Sequence, residues 1–449
     1  MGYSKIGPRP FEAASKASHH HLINDPVVKQ ALETLWVPPP MQDVSLAERC
    51  VAFAPVADSP VSDVVAVDGG YTEALVRAGF PSAALHFFQF GALRFARDDL
   101  QKLDRSHFIS PEDIARLKNI ERLKFALPTK GVRSKSCKTL LETVRVAIFD
   151  FLSNEKLGED KSLLDTLKWF IFARYKPAGE RTDEDRVWTL SSNPLSNGQS
   201  VDLAEKNMSA QGTFQCPSTG GLLYLTDIFR FHEVIDEEVG AAGICGYLAG
   251  VIEHLITIHI IRHLSSKYPD LLGNVLFIMD RPTGFFGQTA RLHKPMRALV
   301  QWLQANHNLL LVGLEKSGAF VDHAREIQPL MDPGTILILG DQYIYRYISP
   351  GVEDPSKPYA STSYYGHKVI FKTPGGQMHV VSIPVPIQRK EPTAGDIPNL
   401  QLLLTHVAEL RCDMYDSALI PVALVNKLVS LSAHPSSQIL RQFAKSSVS

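Results

Sequence analysis

The sequence predicts an α/β fold, a mixed β-sheet flanked by helices with a long helical and loop insertion. Short apolar runs rich in β-branched residues recur at Asp63–Asp68, Gly273–Asp280 and Asn308–Gly318, then in "TILILGD" and "KVIFK", as buried strands require. Helical periodicity separates several of them, above all over Ile244–Leu264 and Leu292–Ala305. Strands that alternate with helices build a sheet with helices packed on its faces. The chain has 449 residues and is 45% hydrophobic, enough for a substantial core and for two or three domains.

Charge and cysteine usage narrow the class. Lys plus Arg (46) and Asp plus Glu (47) nearly cancel, so any polyanionic partner must be met by a local patch. Five cysteines without a CxxC pair argue against a disulfide framework and a zinc ribbon, and a reducing cytoplasm is expected. The N-terminal "MGYSKIGPRPFEAA" lacks the apolar core of a secretory signal. Glu253, His254, His259, Arg262 and His263 interrupt the most apolar segment, Ile244–Leu264, and speak against a membrane span.

Taken in order, residues 1–60 read as an extension, with a stiff "VPPP" run at Val37–Pro40 and the stretch "SHHHL" at Ser18–Leu22. The three histidines suit either a solvated cluster or a metal site. Strand Asp63–Asp68 ends on an acid, and Gly69 and Gly70 permit a turn directly after it. "SAALHFFQFGALRF", Ser82–Phe95, is a second strand beside it. Residues 97–175 are helical in pattern and 176–221 polar and loop-like, together an insertion over about 97–221. Within it Lys118–Lys138 carries seven Lys or Arg against one Glu, with Pro128 and Gly131 marking a loop. Its Lys130, Arg133 and Lys135 are candidate phosphate contacts, the alternative being a solvated face. Helices Leu400–Cys412 and Val422–Leu431 close the domain, 61–432, and 433–449 is expected to be a flexible tail.

The acids carry the chemistry. Two strands that each deliver an Asp at the C-terminal end, Asp68 and Asp280, place two negative charges at one sheet edge. Glu253 sits on a helix face otherwise made of Ala249, Gly250, Ile256, Thr257 and Ile260, a costly place for an unpaired acid. Converging carboxylates raise one another's pKa unless a divalent cation holds them, and oxygen-only ligands suit Mg²⁺ or Mn²⁺. Such a site fits metal-assisted phosphodiester hydrolysis. The alternative is structural: a strand-terminal Asp caps a turn, and Glu253 pairs with Arg230 or Arg262. The order strand acid, helix acid, strand acid is that of a ribonuclease H-like nuclease.

At this point a resemblance enters. "VVAVDGG" resembles the "VDGS" opening of the NurA nuclease family, "FIMDRPTGFFG" resembles its second Asp motif, and "LLLVGLEKSG" is similar to the Gly and Lys-Ser strand that follows. The resemblance implies an RNase H-like core with Asp68, Glu253 and Asp280 as metal ligands and Lys316 beside them. It further implies Mn²⁺- (or Mg²⁺-) dependent 5′–3′ exonuclease and endonuclease activity on DNA, a homodimer, and a HerA-type hexameric translocase as partner, in DNA end processing or anti-phage defence. Three positions depart from the pattern: Gly70 replaces Ser, Arg281 replaces Gly, and Asn426 in "IPVALVNKLVSLS" replaces His. An amide oxygen can ligate a hard cation but cannot serve as a base near neutral pH. His406 in the preceding helix is the other candidate for that place, set against a buried structural histidine. Arg281 and Asn426 keep open a catalytically inactive NurA-like subunit that docks on a translocase. "DGGYT", Asp68–Thr72, keeps open an actin-like or sugar-kinase-like ATP site.

Overall fold

The computed structural model describes residues 16–35, 37, 46–101, 121–157, 161–196, 198–412, 418–431 and 435–448. Pro38–Pro40 of the proline run and residues 118–120 of the basic segment lie outside them. The chain divides into two units, Met1–Asp43 and Val44–Ser449. In the first, α1 (Lys16–Asn24) carries the exposed His19, His20 and His21. The second helix, α2 (Pro26–Glu33), starts on Asp25, whose carboxylate accepts from the Val27 and Val28 amides.

The larger unit is built on a mixed sheet whose nine described strands are β1 (Cys50–Ala52), β2 (Asp63–Arg77), β3 (Ala83–Ala96), β4 (Glu121–Lys130), β5 (Val275–Met279), β6 (Leu310–Glu315), β7 (Thr335–Ile338), β8 (Gly366–Lys372) and β9 (Met378–Pro384). Their spatial order is β1-β7-β8-β9-β6-β5-β2-β3-β4. The strands β2, β3 and β4 form an antiparallel meander. The next two, β5 and β6, run parallel to β2 and to each other, and the rest pair antiparallel.

The period of two along each strand divides the core. Val65, Val67, Phe277 and Met279 face helices α3 (Leu140–Asn154), α4 (Leu163–Ile171), α5 (Cys245–Lys267) and α6 (His293–His307). Val64, Ala66, Leu276 and Ile278 face the opposite layer, α8 (Leu400–Glu409) and α9 (Ile420–Val429), and α7 (Ala319–Ile327) packs on β9, with Phe320 under Lys368. The apolar α5 is long enough to cross a membrane but is 83% buried inside the fold over its most apolar window. It is the central helix of one core layer.

Three segments differ from the sequence reading. The strand through Asp68 does not turn at the glycines but continues to Arg77. Gly69 and Gly70 are extended, and their lack of a side chain serves close packing: a Cβ on Gly69 would lie 2.5 Å from the Phe90 ring, and one on Gly70 would lie 2.4 Å from the Val429 carbonyl oxygen. The basic segment, read as a loop, supplies edge strand β4. Leu123, Leu127 and Thr129 are buried and Arg122, Lys124 and Lys130 exposed, an alternation that Pro128 does not interrupt because an edge strand tolerates a missing N–H. Residues 433–449, read as a tail, contain α10 (Ser436–Ser447). It buries Ala444 against Ala74 and Leu85 and sets Phe443 6.0 Å from Phe87.

Candidate active site

Strand register brings the two aspartates together. Val67 lies opposite Met279 where β2 and β5 pair in parallel, so Asp68 and Asp280 are the next residues along neighbouring strands. Both have the parity of Val64, Ala66, Leu276 and Ile278, and they point to the layer that holds α9. From α9, Asn426 donates its Nδ2–H to Asp68 Oδ2 at 2.9 Å, while Asp68 Oδ1 accepts from the Gly69 amide at 2.8 Å. Lys316, just past β6, donates Nζ to Asp280 Oδ2 at 2.7 Å. The other Asp280 oxygen, Oδ1, is buried and has no hydrogen-bond partner among the described residues.

Glu253 approaches from the opposite face. It is 1% exposed on α5, and Arg281 binds it bidentately, Nε to Oε2 at 2.5 Å and Nη2 to Oε1 at 2.8 Å. Two glycines make the room. A Cβ on Gly69 would stand 2.9 Å from Glu253 Oε1, and one on Gly250 would stand 2.4 Å from Arg281 Nη1. Sequence reasoning named Arg230 and Arg262 as Glu253's possible partners. Arg230 instead pairs with Glu233, and Arg262 Nη1 donates to Thr166 Oγ1. A signal for the right arginine was present: Gly250, one turn before Glu253, weakens a helix by about 1 kcal/mol unless a neighbour needs the space.

The electrostatics follow from crowding acids in a dry place. Burial pushes Asp280 up to about 6, with the Asp68 charge adding to it and Lys316 and Arg281 opposing. Burial also raises Asp68, against its hydrogen bonds from Asn426 and Gly69. It pushes Glu253 up to about 7, opposed by Arg281 and helped by the two aspartates. The carboxyls therefore sit where a proton or a cation is favoured.

The set of donors fits a hard divalent cation at Asp68 and Asp280, which present oxygen only and leave Asp280 Oδ1 unpartnered. Glu253 is held by Arg281. Among the described residues no group of three or more His, Cys, Asp or Glu side chains is close enough to hold an ion. Mg²⁺-type sites commonly take one or two carboxylates and complete the shell with water and substrate phosphate.

Of the nine candidate residues, Asp68, Glu253, Asp280, Lys316 and Asn426 are gathered in this one cluster. His406 is not. It lies fully buried on α8, its Nε2 2.7 Å from Ser59 Oγ and its Nδ1 3.1 Å from Glu409. Glu409 also pairs with Arg97, which follows β3 and donates its amide to the Ser62 carbonyl, at the start of β2 and before Asp68. Its hydrogen bonds are those of a structural histidine, which corrects its candidacy for the site. Lys130, Arg133 and Lys135 are exposed. They lie at and beyond the end of β4, where Lys130 pairs with Ala84, out along the ribbon that β2 and β3 extend past Asp68.

No family model and no curated protein matches this sequence. Solved structures similar to the chain span nearly its whole length. The crystal structure of the NurA nuclease from Sulfolobus solfataricus covers 96% of this chain and 97% of its own, at 9% identity and a TM-score of 0.32. A crystal structure of NurA with manganese covers 97% and 99%, at 12% identity and a TM-score of 0.31. A further crystal structure of NurA covers 97% and 98%, at 10% identity and a TM-score of 0.32. The structures to which this chain is similar are thus those of NurA nucleases, the family its motifs resemble.

Proposed function

We propose that the chain is a metal-dependent deoxyribonuclease of the NurA type that hydrolyses phosphodiester bonds. One observation carries the reading: Asp68 and Asp280, which follow the paired Val67 and Met279 of neighbouring parallel strands, stand side by side, and Asp280 Oδ1 is a buried carboxylate oxygen without a partner among the described residues. An RNase H-like core is part of the proposal. Its support is the run β4-β3-β2-β5-β6, an antiparallel three-strand meander whose first strand is followed outward by two parallel strands.

Each residue then has a defined task. Asp68 and Asp280 hold Mn²⁺ or Mg²⁺, which when bound polarises a phosphoryl oxygen and lowers the pKa of water. Asn426 fixes the Asp68 carboxylate by donating to one of its oxygens. Lys316 neutralises Asp280 from one side and leaves the other oxygen free. Arg281 faces the substrate side as the cation for a phosphate, held in place by Glu253. The partners we propose are DNA, a second copy of the chain and a HerA-type translocase, since this sequence contains no GxxxxGK[ST] loop for a motor of its own.

The test is cleavage of end-labelled linear and circular DNA by the purified protein with Mn²⁺, Mg²⁺ or EDTA. Metal-dependent degradation is expected. A second reading, a non-catalytic subunit, is favoured by the occupation of Glu253 by Arg281. Absence of cleavage with either metal, together with retained binding of DNA or of the translocase, would establish that reading instead.

A further inference from the structure

A cavity of about 210 Å³ opens beside Arg281, on the α5 side of the acid cluster. Its walls are aromatic, from Tyr247, Phe285 and Phe286, and two glycines of α5, Gly246 and Gly250, line it. Tyr247 is 38% exposed. Behind it stands Gly287, with φ +57°, where a Cβ would come within 2.7 Å of the tyrosine ring, so the ring packs directly on backbone there. Two other polar side chains of the lining are already engaged: His254 bonds the Gly250 carbonyl and the Tyr365 hydroxyl, and Thr289 Oγ1 donates to the Phe286 carbonyl. Arg281 is the exception. Its Nε and Nη2 hold Glu253, and Nη1 has no hydrogen-bond partner among the described residues.

We propose that this cavity receives the unpaired nucleobase at the end of a DNA strand, with the adjoining phosphate on Arg281 Nη1. The inference rests on the nuclease reading and adds the form of its substrate, a frayed or single-stranded end. The shape decides for a base. Aromatic walls on a glycine floor give a planar ring system faces to stack on, with the Tyr247 hydroxyl the one polar group of those walls, so binding is chiefly by stacking and nearly indifferent to base identity. The open cation, Arg281 Nη1, lines the same cavity as the aromatic walls, so a ring and a phosphate joined by one sugar are met together. A base pair presents its edge across a second base and would have to be opened first. Tyr71, 42% exposed, stands beside Gly246, its hydroxyl 3.4 Å from where a Cβ of that glycine would lie, and offers the next base a stacking surface.

The experiment uses the full chain in EDTA, so that binding is read without cleavage. Single-stranded oligonucleotides carry 2-aminopurine either at a terminus or in the middle, and quenching of its fluorescence reports stacking. Wild-type protein should quench the terminal probe more strongly, and unlabelled strands ending in A, C, G or T should compete within about two-fold of one another, as stacking without edge readout requires. Tyr247→Ala and Phe286→Ala should each weaken terminal binding about 5- to 100-fold, the loss expected for one base–aromatic stack. Tyr247→Phe should retain it, which separates stacking from any role of the hydroxyl. If an alanine variant proves unstable by melting temperature, Tyr247→Leu keeps the bulk and should show the same loss. Equal quenching of terminal and internal probes, or an unchanged affinity in Tyr247→Leu, overturns the pocket. The two readings fail separately: a protein that stacks the terminal probe but cleaves nothing with Mn²⁺ keeps the pocket and loses the nuclease. One that cleaves while ignoring the position of the probe does the reverse.

Discussion

Two aspartates in this molecule face cations and end differently. Asp227, beneath α3, accepts from Arg145 Nε and Nη2 at 2.8 Å each and from the Tyr224 amide at 2.8 Å, so both oxygens are satisfied. Arg145 also lies over the Tyr224 ring, 5.1 Å from its centroid. Asp280 has one bond, from Lys316, and one orphan oxygen, with a second carboxyl beside it. Burial alone does not mark a site. What distinguishes Asp280 is that the fold removes water from it and supplies less than it removed. Glu253 stands between them, bidentately paired like Asp227 yet crowded by two acids like Asp280.

The widest contrast is expected from alanine substitutions. Asp280→Ala and Asp68→Ala should bring metal-dependent cleavage to background while the melting temperature in EDTA holds or rises, because each removes one of two mutually repelling carboxyls whose pKa burial raises. Asp227→Ala should do the opposite. It strands Arg145 in the core and should cost about 3–5 kcal/mol, with activity per folded molecule unchanged. Cleavage and thermal melting of the three variants, measured side by side, check the contrast, and a destabilised, active Asp280→Ala would dissolve it.

Glu253→Gln places the third acid on one side or the other. With Arg281 as its partner, the glutamine should lower stability by about 1–3 kcal/mol, the usual loss on weakening a buried charged hydrogen bond, and leave Mn²⁺ affinity near wild type. Isothermal titration with Mn²⁺ alongside melting reads both. A glutamine variant that keeps its melting temperature and loses the metal would move Glu253 into the ligand set.

Ordinary pH should separate the regions too. Asp280 has a native pKa of about 6 against an ordinary 3.8, and Asp68 is raised in the same direction. A carboxyl raised in the folded state binds its proton more tightly there than in the unfolded chain. Its stabilising contribution is therefore complete below about pH 3.8 and is lost as pH rises through 6. Relative to Asp280→Asn, wild-type stability in EDTA should fall by on the order of 1–3 kcal/mol between about pH 4 and pH 7. Saturating Mn²⁺ at pH 7 should restore it. Parallel pH–melting curves for the two proteins would mean that Asp280 is not held under strain.

How much of this was legible in the sequence depends on which physics each part uses. The strand acids were legible because an apolar run that ends in Asp is a local pattern, and the parity that brings Asp68 and Asp280 to one face is fixed by counting in twos. Asn426 and Lys316 came from the motif resemblance, and both do contact the aspartates. The role of Gly69 and Gly70 was not legible, since a glycine that turns a chain and a glycine that admits a neighbour are the same letter. Here the neighbours, Phe90 and Val429, come from a paired strand and from a helix near the far end of the chain. Strand β4 was hidden because its exposed Arg and Lys dominate the composition while its buried Leu123, Leu127 and Thr129 carry the period. His406 was misplaced because sequence order locates a helix next to the sheet but not which end of the strands its histidine meets.

The smallest effect is expected far from the acids, at Lys130, Arg133 and Lys135. Arg133 already gives Nη1 to the Lys138 carbonyl, and all three side chains are exposed, so a role in stability is not expected: surface substitutions of this kind usually stay within about 0.5 kcal/mol. A role in binding would show in salt dependence. A nearly neutral protein that holds DNA must gather positive charge locally, and this cluster sits on the ribbon that continues past Asp68. Each phosphate that a side chain neutralises releases condensed counterions, so replacing the three with Ala should flatten the log–log slope of DNA affinity against salt by about one unit for every phosphate no longer held. Cleavage of a bound strand at saturating DNA should be unaltered. Titrating wild type and the triple variant with labelled duplex across several salt concentrations in EDTA gives the two slopes directly. Coincident slopes would return these residues to a solvated face and confine DNA recognition to the neighbourhood of Arg281.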